Sequence, residues 1–202
     1  MAINTFTLKG ANVVSGDESP AEMKDVKVVN GKIAEVGKVL RGNEEGKIID
    51  CSGLTLSPGF IDMHSHSDLA VLTDKEYEAK VCQGVTLELV GQDGLSYVPS
   101  SEETITELRN QLFGWNGAPS EVDWSMRSVS DYLKQVDKGS AVNVAYLLPH
   151  GSIRMLACGF KTAPASEKEI SYQIELVDQG MKEGAYGLSA GLTYVPAMYA
   201  PD

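Results

Sequence analysis

No cluster of lysine or arginine occurs in this chain. Its 17 basic residues are outnumbered by 28 acidic ones, for a net charge of −11, and that balance disfavours a nucleic-acid or anionic-membrane partner. A small-molecule substrate is the remaining expectation. No apolar run reaches the roughly 20 residues that span a bilayer, and Met1 to Phe6 lack the basic region and apolar core of a leader. We therefore expect a cytoplasmic protein. Cysteine is sparse: Cys51, Cys82 and Cys158 are odd in number, far apart and free of any CxxC spacing. They read as reduced, mostly buried thiols rather than a disulfide framework. Histidine is just as sparse, with three in all, yet two of the three stand one residue apart.

That pair belongs to the stretch around which the chain is organised, Pro58-Gly59-Phe60-Ile61-Asp62-Met63-His64-Ser65-His66. Pro58-Gly59 closes one element, Phe60 to Met63 reads as a short buried strand, and His64 and His66 follow at its end. Side chains two apart on a strand share a side, so both imidazoles can reach one point in space, a metal-ligand spacing. The plainer alternative is two histidines that finish a strand, exposed or hydrogen-bonded.

Before Pro58 the pattern is β. Phe6 to Val14 reads as a strand, and Val26 to Val29 and Lys32 to Val36 alternate around Asn30-Gly31, a strong hairpin signal. Lys47 to Asp50 and Leu54 to Leu56 add short strands, and Gly42 to Gly46 reads as a solvent loop. Residues 1–57 thus form a first, small β-domain. From 58 to 202 the grammar is helix, glycine, buried strand, repeated three times, and 43% hydrophobic residues suffice for its core. Asp74 to Gln83 is an expected helix ended by Gly84, with Val85 to Val90 as the strand after it. Ser128 with Asp131 and Ser166 with Glu169 are capping boxes. Their helices carry Val129, Tyr132, Leu133 and Val136 on one face, and Ile170, Ile174, Val177 and Met181 on the other's face. Val142 to Leu148 and Ala185 to Ala190 are the strands that follow. Between them and the second strand, Ser100 with Glu103 caps a helix through about Phe113, and Trp115 and Trp124 read as cover for the barrel edge, against a role in binding as the wall of a pocket. Successive βα units imply a parallel sheet, either a (β/α)8 barrel or an open doubly wound sheet.

Each strand ends in polar residues and glycines: His64 to His66, Gly91 to Gly94, His150 to Ser152 and Ser189 to Gly191. In either architecture the carboxyl ends of parallel strands gather at one mouth, so the four may face a single site. Asp93 is a candidate oxygen ligand or a turn residue between glycines. His150 is a candidate for anion binding or for supporting a ligand, against a satisfied loop histidine. Glu88, mid-strand among apolar residues, requires a partner and is given no catalytic role.

Taken together, PGFIDMHSH after a small β-domain resembles the metal-dependent amidohydrolase superfamily. QGVTLELVGQDG, LLPHGSIRMLACG and GAYGLSAGLTYVPAMYA, in this order and at these separations, are similar to segments of its N-acyl-D-amino-acid deacylase family. The resemblance runs from about residue 5 onward. It implies the first half of a (β/α)8 TIM-like barrel, strands one to four, preceded by part of a small β-sandwich domain.

The resemblance also implies roles. His64 and His66 match first-strand ligands of zinc or a similar divalent ion. Asp93 stands where many members have a metal-binding cysteine, a departure that favours harder ions. Ser189 and Tyr194 match a fourth-strand loop beside the substrate, and His150 matches a third-strand histidine that either supports a metal ligand or lies near the substrate carboxylate. Arg154 would be either a carboxylate clamp or part of a structural salt bridge. The implied reaction is hydrolysis of the amide of an N-acyl-D-amino acid. Its catalytic aspartate and two further histidine ligands are expected beyond residue 202, so the chain is expected to work with a complementary C-terminal polypeptide. A cyclic-amide hydrolase of the hydantoinase or dihydroorotase kind is the nearest alternative, although its bridging lysine has no counterpart in Gly187 to Leu192. A non-catalytic barrel half that binds a partner is another.

Overall fold

The computed structural model describes residues 4–38 and 46–200. Apart from Gly46, the solvent loop expected at 42–46 lies outside the described residues. The chain divides into two compact units, one ending at Pro58 and one beginning at Gly59. Among the described residues no helix is long and apolar enough to cross a membrane.

The first unit is a single mixed sheet. Strand β1 (Phe6–Val13) is its centre, with β2 (Glu22–Val29) antiparallel on one side and β3 (Lys32–Gly37) antiparallel beyond it. Strands β4 (Lys47–Asp50) and β5 (Thr55–Leu56) both pair with β1 in parallel, one after the other along its length. The hairpin forms at Asn30-Gly31, both with positive φ (52° and 76°), because a turn of that hand matches the twist of the strands it joins. Ala11, Val13, Val26 and Cys51 make a small core. Asp25 is buried beside it where the β1–β2 register shifts, and its carboxylate accepts the Gly10 N–H at 2.8 Å.

The second unit is built on four parallel strands in the order β6 (Phe60–Asp62), β7 (Val85–Val90), β8 (Asn143–Pro149) and β9 (Gly187–Ser189). Six helices accompany them: α1 (Ala70–Thr73), α2 (Glu78–Val81), α3 (Glu102–Asn116), α4 (Val129–Val136), α5 (His150–Cys158) and α6 (Glu167–Lys182). Both expected capping boxes are present on α4 and α6. Gly180 lets α6 lie directly on β8, since a Cβ there would come within 2.4 Å of the Leu148 side chain. The core gathers Leu69, Val90, Tyr97, Leu108, Met126, Tyr132, Tyr146, Leu148 and Ile153. Two of its tyrosines are satisfied inside it, Tyr132 donating to the Asp68 carbonyl and Tyr146 to the Val98 carbonyl, each at 2.8 Å.

Several expectations need correction. The helix expected over 74–83 is instead the single turn of α2, because the Asp74 carboxylate accepts from the Glu76 and Tyr77 N–H groups and Tyr77 turns into the left-handed region at φ 46°. The cap of α3 is Ser101 with Thr104, one residue on from the expected pair, and the helix runs to Asn116 before Gly117 stops it. The strand at Phe60 is present but not buried: Phe60 and Ile61 are 61% and 56% exposed, since β6 is an edge of this sheet. Ile170, Ile174 and Met181 of α6 are likewise exposed, and the helix buries Leu176 and Gly180 instead. Cys82 is exposed, against the expectation of buried thiols.

The α6 cap supplies a direct stability test. Replacing Ser166 with Ala removes the acceptor of the Glu169 N–H and is expected to cost about 1 kcal/mol, read from urea denaturation at pH 7. Hydrogen bonds from Lys161 and Ser166 hold the Glu169 pKa down at about 2. A depressed folded-state value means that this contribution is complete above the ordinary carboxylate range and is lost as pH falls through about 2. Glu169→Gln is therefore expected to lower stability at pH 7 and to flatten the acid limb of the profile.

Candidate metal centre

After β6 the chain bends rather than continuing as a strand. The Asp62 carboxylate accepts the His64 N–H at 3.1 Å and the Lys80 ammonium at 2.5 Å, which fixes the turn that delivers both histidines. The second component comes from the loop after β7. Gly91 has φ 78° and lies against β8 so closely that a Cβ would sit 2.2 Å from the Leu147 carbonyl oxygen, so no larger residue fits. The Gln92 amide donates to the carbonyls of Met63 (2.8 Å) and Leu89 (2.9 Å), stitching this loop to the histidine loop. Asp93 then takes up φ 54° and turns its carboxylate to the histidines.

The result is a convergence. His64 Nε2 and His66 Nε2 lie 3.3 Å and 3.1 Å from the same oxygen, Oδ2 of Asp93, with the two rings edge to face at 5.4 Å. One donor atom from each of the three residues lies within 4.8 Å of the others. Two imidazole nitrogens and one carboxylate oxygen aimed at a common point form a donor set that suits a borderline divalent cation. The set fits zinc, and equally a harder ion, because it contains no thiolate.

Buried carboxylates stand behind it. Glu88 is fully buried and accepts from Ser67 Oγ (2.6 Å), Tyr77 Oη (2.9 Å) and Lys80 Nζ (2.7 Å). It thus has the basic partner that its position demanded. Burial works against the Lys80 ammonium, but its hydrogen bonds to Asp62 and Glu88 outweigh that and raise its pKa. Asp68 accepts from Ser96 Oγ at 2.5 Å and from the Gly91 N–H at 3.1 Å, while desolvation pushes its pKa up to about 6. It ties the histidine loop to both ends of the loop that carries Asp93.

The remaining candidates are placed as follows. The Ser189 hydroxyl accepts from the Gly94 N–H (2.9 Å) and donates to the Gly91 carbonyl (2.5 Å), and the Tyr194 hydroxyl donates to the Asp93 carbonyl. Both therefore clasp the Asp93 loop from the β9 side. His150, at the start of α5, is not brought to the cluster. Its ring lines a groove of about 600 Å³ with Ile153, Arg154, Ile170 and Ile174, and burial, then the nearby Arg154, lowers its pKa. Arg154 is neither clamp nor salt bridge: buried, it donates to the carbonyls of Pro196 (3.0 Å), Ala163 (2.9 Å) and Tyr199 (3.3 Å).

Trp124 packs on the core, against Tyr97 and beneath Arg109 at 4.1 Å. Trp115 does not: its ring centre lies 4.7 Å from that of His66. The sequence places Trp115 only near a helix end, and nothing local signals its neighbour. Asp68 was discoverable, as the acid two residues past the histidine pair and directly before an apolar run.

Residues 47–200 match the amidohydrolase family. The chain is 32% identical to an N-acyl-D-aspartate deacylase of Alcaligenes xylosoxydans xylosoxydans over 97% of its own length and 38% of that protein's. Among solved structures it is similar to a D-aminoacylase with a binuclear metal centre (31% identity, TM-score 0.83) and to the Bordetella bronchiseptica N-acyl-D-glutamate deacylase complexed with zinc and a phosphonate inhibitor (27%, TM-score 0.82). In both cases the match covers 97% of this chain and 40% of the other. The four parallel strands thus correspond to part of a TIM-like barrel. The chain spans about 40% of the length of these relatives.

Glu88→Ala is expected to destabilise the second unit by about 3 kcal/mol, because it leaves the partly buried Lys80 short of one of its two carboxylates and two hydroxyls without an acceptor. The shift of the urea midpoint measures it.

Proposed function

The chain belongs to the amidohydrolase family, and from that membership we propose that it contributes the first half of a metal-dependent hydrolase that cleaves the amide bond of N-acyl-D-amino acids, giving a carboxylate and a D-amino acid. The observation that carries this reading is the meeting of His64 Nε2 and His66 Nε2 at one oxygen of Asp93. The first unit is then the N-terminal part of the small β-domain, and the second holds strands one to four of the barrel.

In this reading His64, His66 and Asp93 hold a divalent ion, zinc being the ion named with the similar deacylase. Such an ion supplies Lewis-acid polarisation of an acyl carbonyl and activation of water at neutral pH. The chain's own residues do the positioning. Gln92 on the histidine side and Ser189 and Tyr194 on the β9 side fix the Asp93 loop, so the carboxylate is preorganised rather than recruited. Asp93 also supplies an oxygen donor where a third imidazole would supply nitrogen, and it biases the site toward harder ions than a cysteine would.

The proton that the leaving amine needs has no donor among the residues at this centre. We place that general acid, with the further histidine ligands, in the part of the barrel for which the relatives have sequence beyond this match, on a complementary C-terminal polypeptide. The substrate is a small molecule, met in the cytoplasm, and we assign its carboxylate and side chain to Ser189, Tyr194 and His150.

Equilibrium dialysis with zinc, followed by elemental analysis, tests the centre. His64→Ala and His66→Ala are each expected to lower affinity at least about tenfold, the usual effect of losing one of few ligands. Asp93→Cys is expected to retain zinc and cadmium but to lose manganese, following ligand softness. Turnover of N-acyl-D-amino acids by the chain together with its complement, lost on His64→Ala, is the expected activity result. Turnover that survives His64→Ala would reject the metal assignment.

A further inference from the structure

Imidazoles that bind metals ordinarily hold their orientation through the ring nitrogen that faces away from the ion, which donates to a carboxylate or carbonyl. His66 has no such tie. Among the described residues its ring has one hydrogen-bond partner, Asp93, and that contact uses Nε2. The ring nevertheless points to the same oxygen as His64. What lies against its face is the indole of Trp115, with ring centres 4.7 Å apart and planes inclined at 44°.

Trp115 is not there to fill the core, since it is 56% exposed. Nor is it loosely held. It occupies the last turn of α3, whose other face buries Ile105, Leu108 and Leu112. The Gln111 amide donates to the Val195 carbonyl at 2.8 Å, which anchors the same turn to the segment after β9, and the Gly117 N–H closes onto Phe113 at 2.9 Å. A helix fixed at both ends thus presents a large flat ring to one face of a ligand that lacks a polar tether. Aromatic pairs at this separation are attractive beyond their buried area and restrict rotation of the smaller ring.

We propose that Trp115 is a positioning residue of this centre: packed at a tilt against His66, it holds the imidazole in the rotamer that directs Nε2 to Asp93. This rests on the metal-binding role given to His64, His66 and Asp93 above. The aromatic face substitutes for the missing hydrogen bond, and it does so without drawing a polar group away from solvent.

The test is cobalt(II) titration of the 202-residue chain by isothermal calorimetry, comparing wild type, Trp115→Ala, Trp115→Phe, Trp115→Leu and His66→Ala. Far-ultraviolet circular dichroism serves as the folding control, and the exposure of Trp115 predicts unchanged spectra. Trp115→Ala and Trp115→Leu are expected to bind cobalt about five- to tenfold more weakly, and Trp115→Phe, which keeps an aromatic face, within about twofold of wild type. In a Trp124→Phe background the remaining tryptophan, Trp115, is expected to lose fluorescence as cobalt binds. Equal affinity for wild type and Trp115→Ala overturns the proposal while leaving the metal centre intact. Equal loss in the Phe, Leu and Ala variants also overturns it, since it would make the effect one of local packing. Cobalt binding indifferent to His66→Ala overturns the metal assignment itself, and this proposal with it.

Discussion

One residue in the left-handed region, Asp93, holds the centre together. Its backbone is set by the close approach of Gly91 to β8, and its loop is tied by Gln92 to the histidine segment, by Ser189 and Tyr194 to the strand on the far side, and by Asp68 from beneath. Each tie is worth little by itself, on the order of 1 kcal/mol. Together they convert two strand ends distant in sequence, those after β6 and β7, into a single donor set. The parallel sheet makes this possible, because only parallel strands bring all their carboxyl ends to one side.

Behind that surface lies a second arrangement with the opposite logic. Glu88 sits where a core residue would be expected, and the fold satisfies it with Ser67, Tyr77 and Lys80 rather than excluding it. Lys80 also reaches Asp62, whose other oxygen holds the His64 amide. A buried ion pair of this kind adds little net stability compared with apolar packing, but it is unforgiving of geometry. Its effect here is to fix where the chain turns after β6, and so where the histidines begin.

Much of this was legible from residue order. The Asn30-Gly31 hairpin, the capping boxes at Ser128 and Ser166, and the recurrence of glycine between helix and strand are local signals, and local signals predicted local structure. The pairing of His64 with His66 was legible for the same reason. Failures occurred where short-range competition or distant packing decides. Asp74 hydrogen-bonds its own following amides and so interrupts a helix that the apolar pattern favours. Arg154 satisfies three carbonyls from segments up to 45 residues away, a role that no spacing reveals. Trp115 meets His66 across 49 positions, and aromatic stacking has no sequence period to betray it.

The exposed strand β6 and the apolar stripe on α6 have a consequence for how this polypeptide must be handled. Phe60, Ile61, Ile170, Ile174 and Met181 present oily surface at two separate places, one of them beside a strand with unpaired backbone groups. Such surface does not distinguish a proper cover from another copy of itself. Recovery from denaturant then becomes a race between folding within one chain, which is independent of concentration, and clumping, which scales with its square. Dilution and low temperature favour the first, and the net charge of −11 slows the second by keeping copies apart.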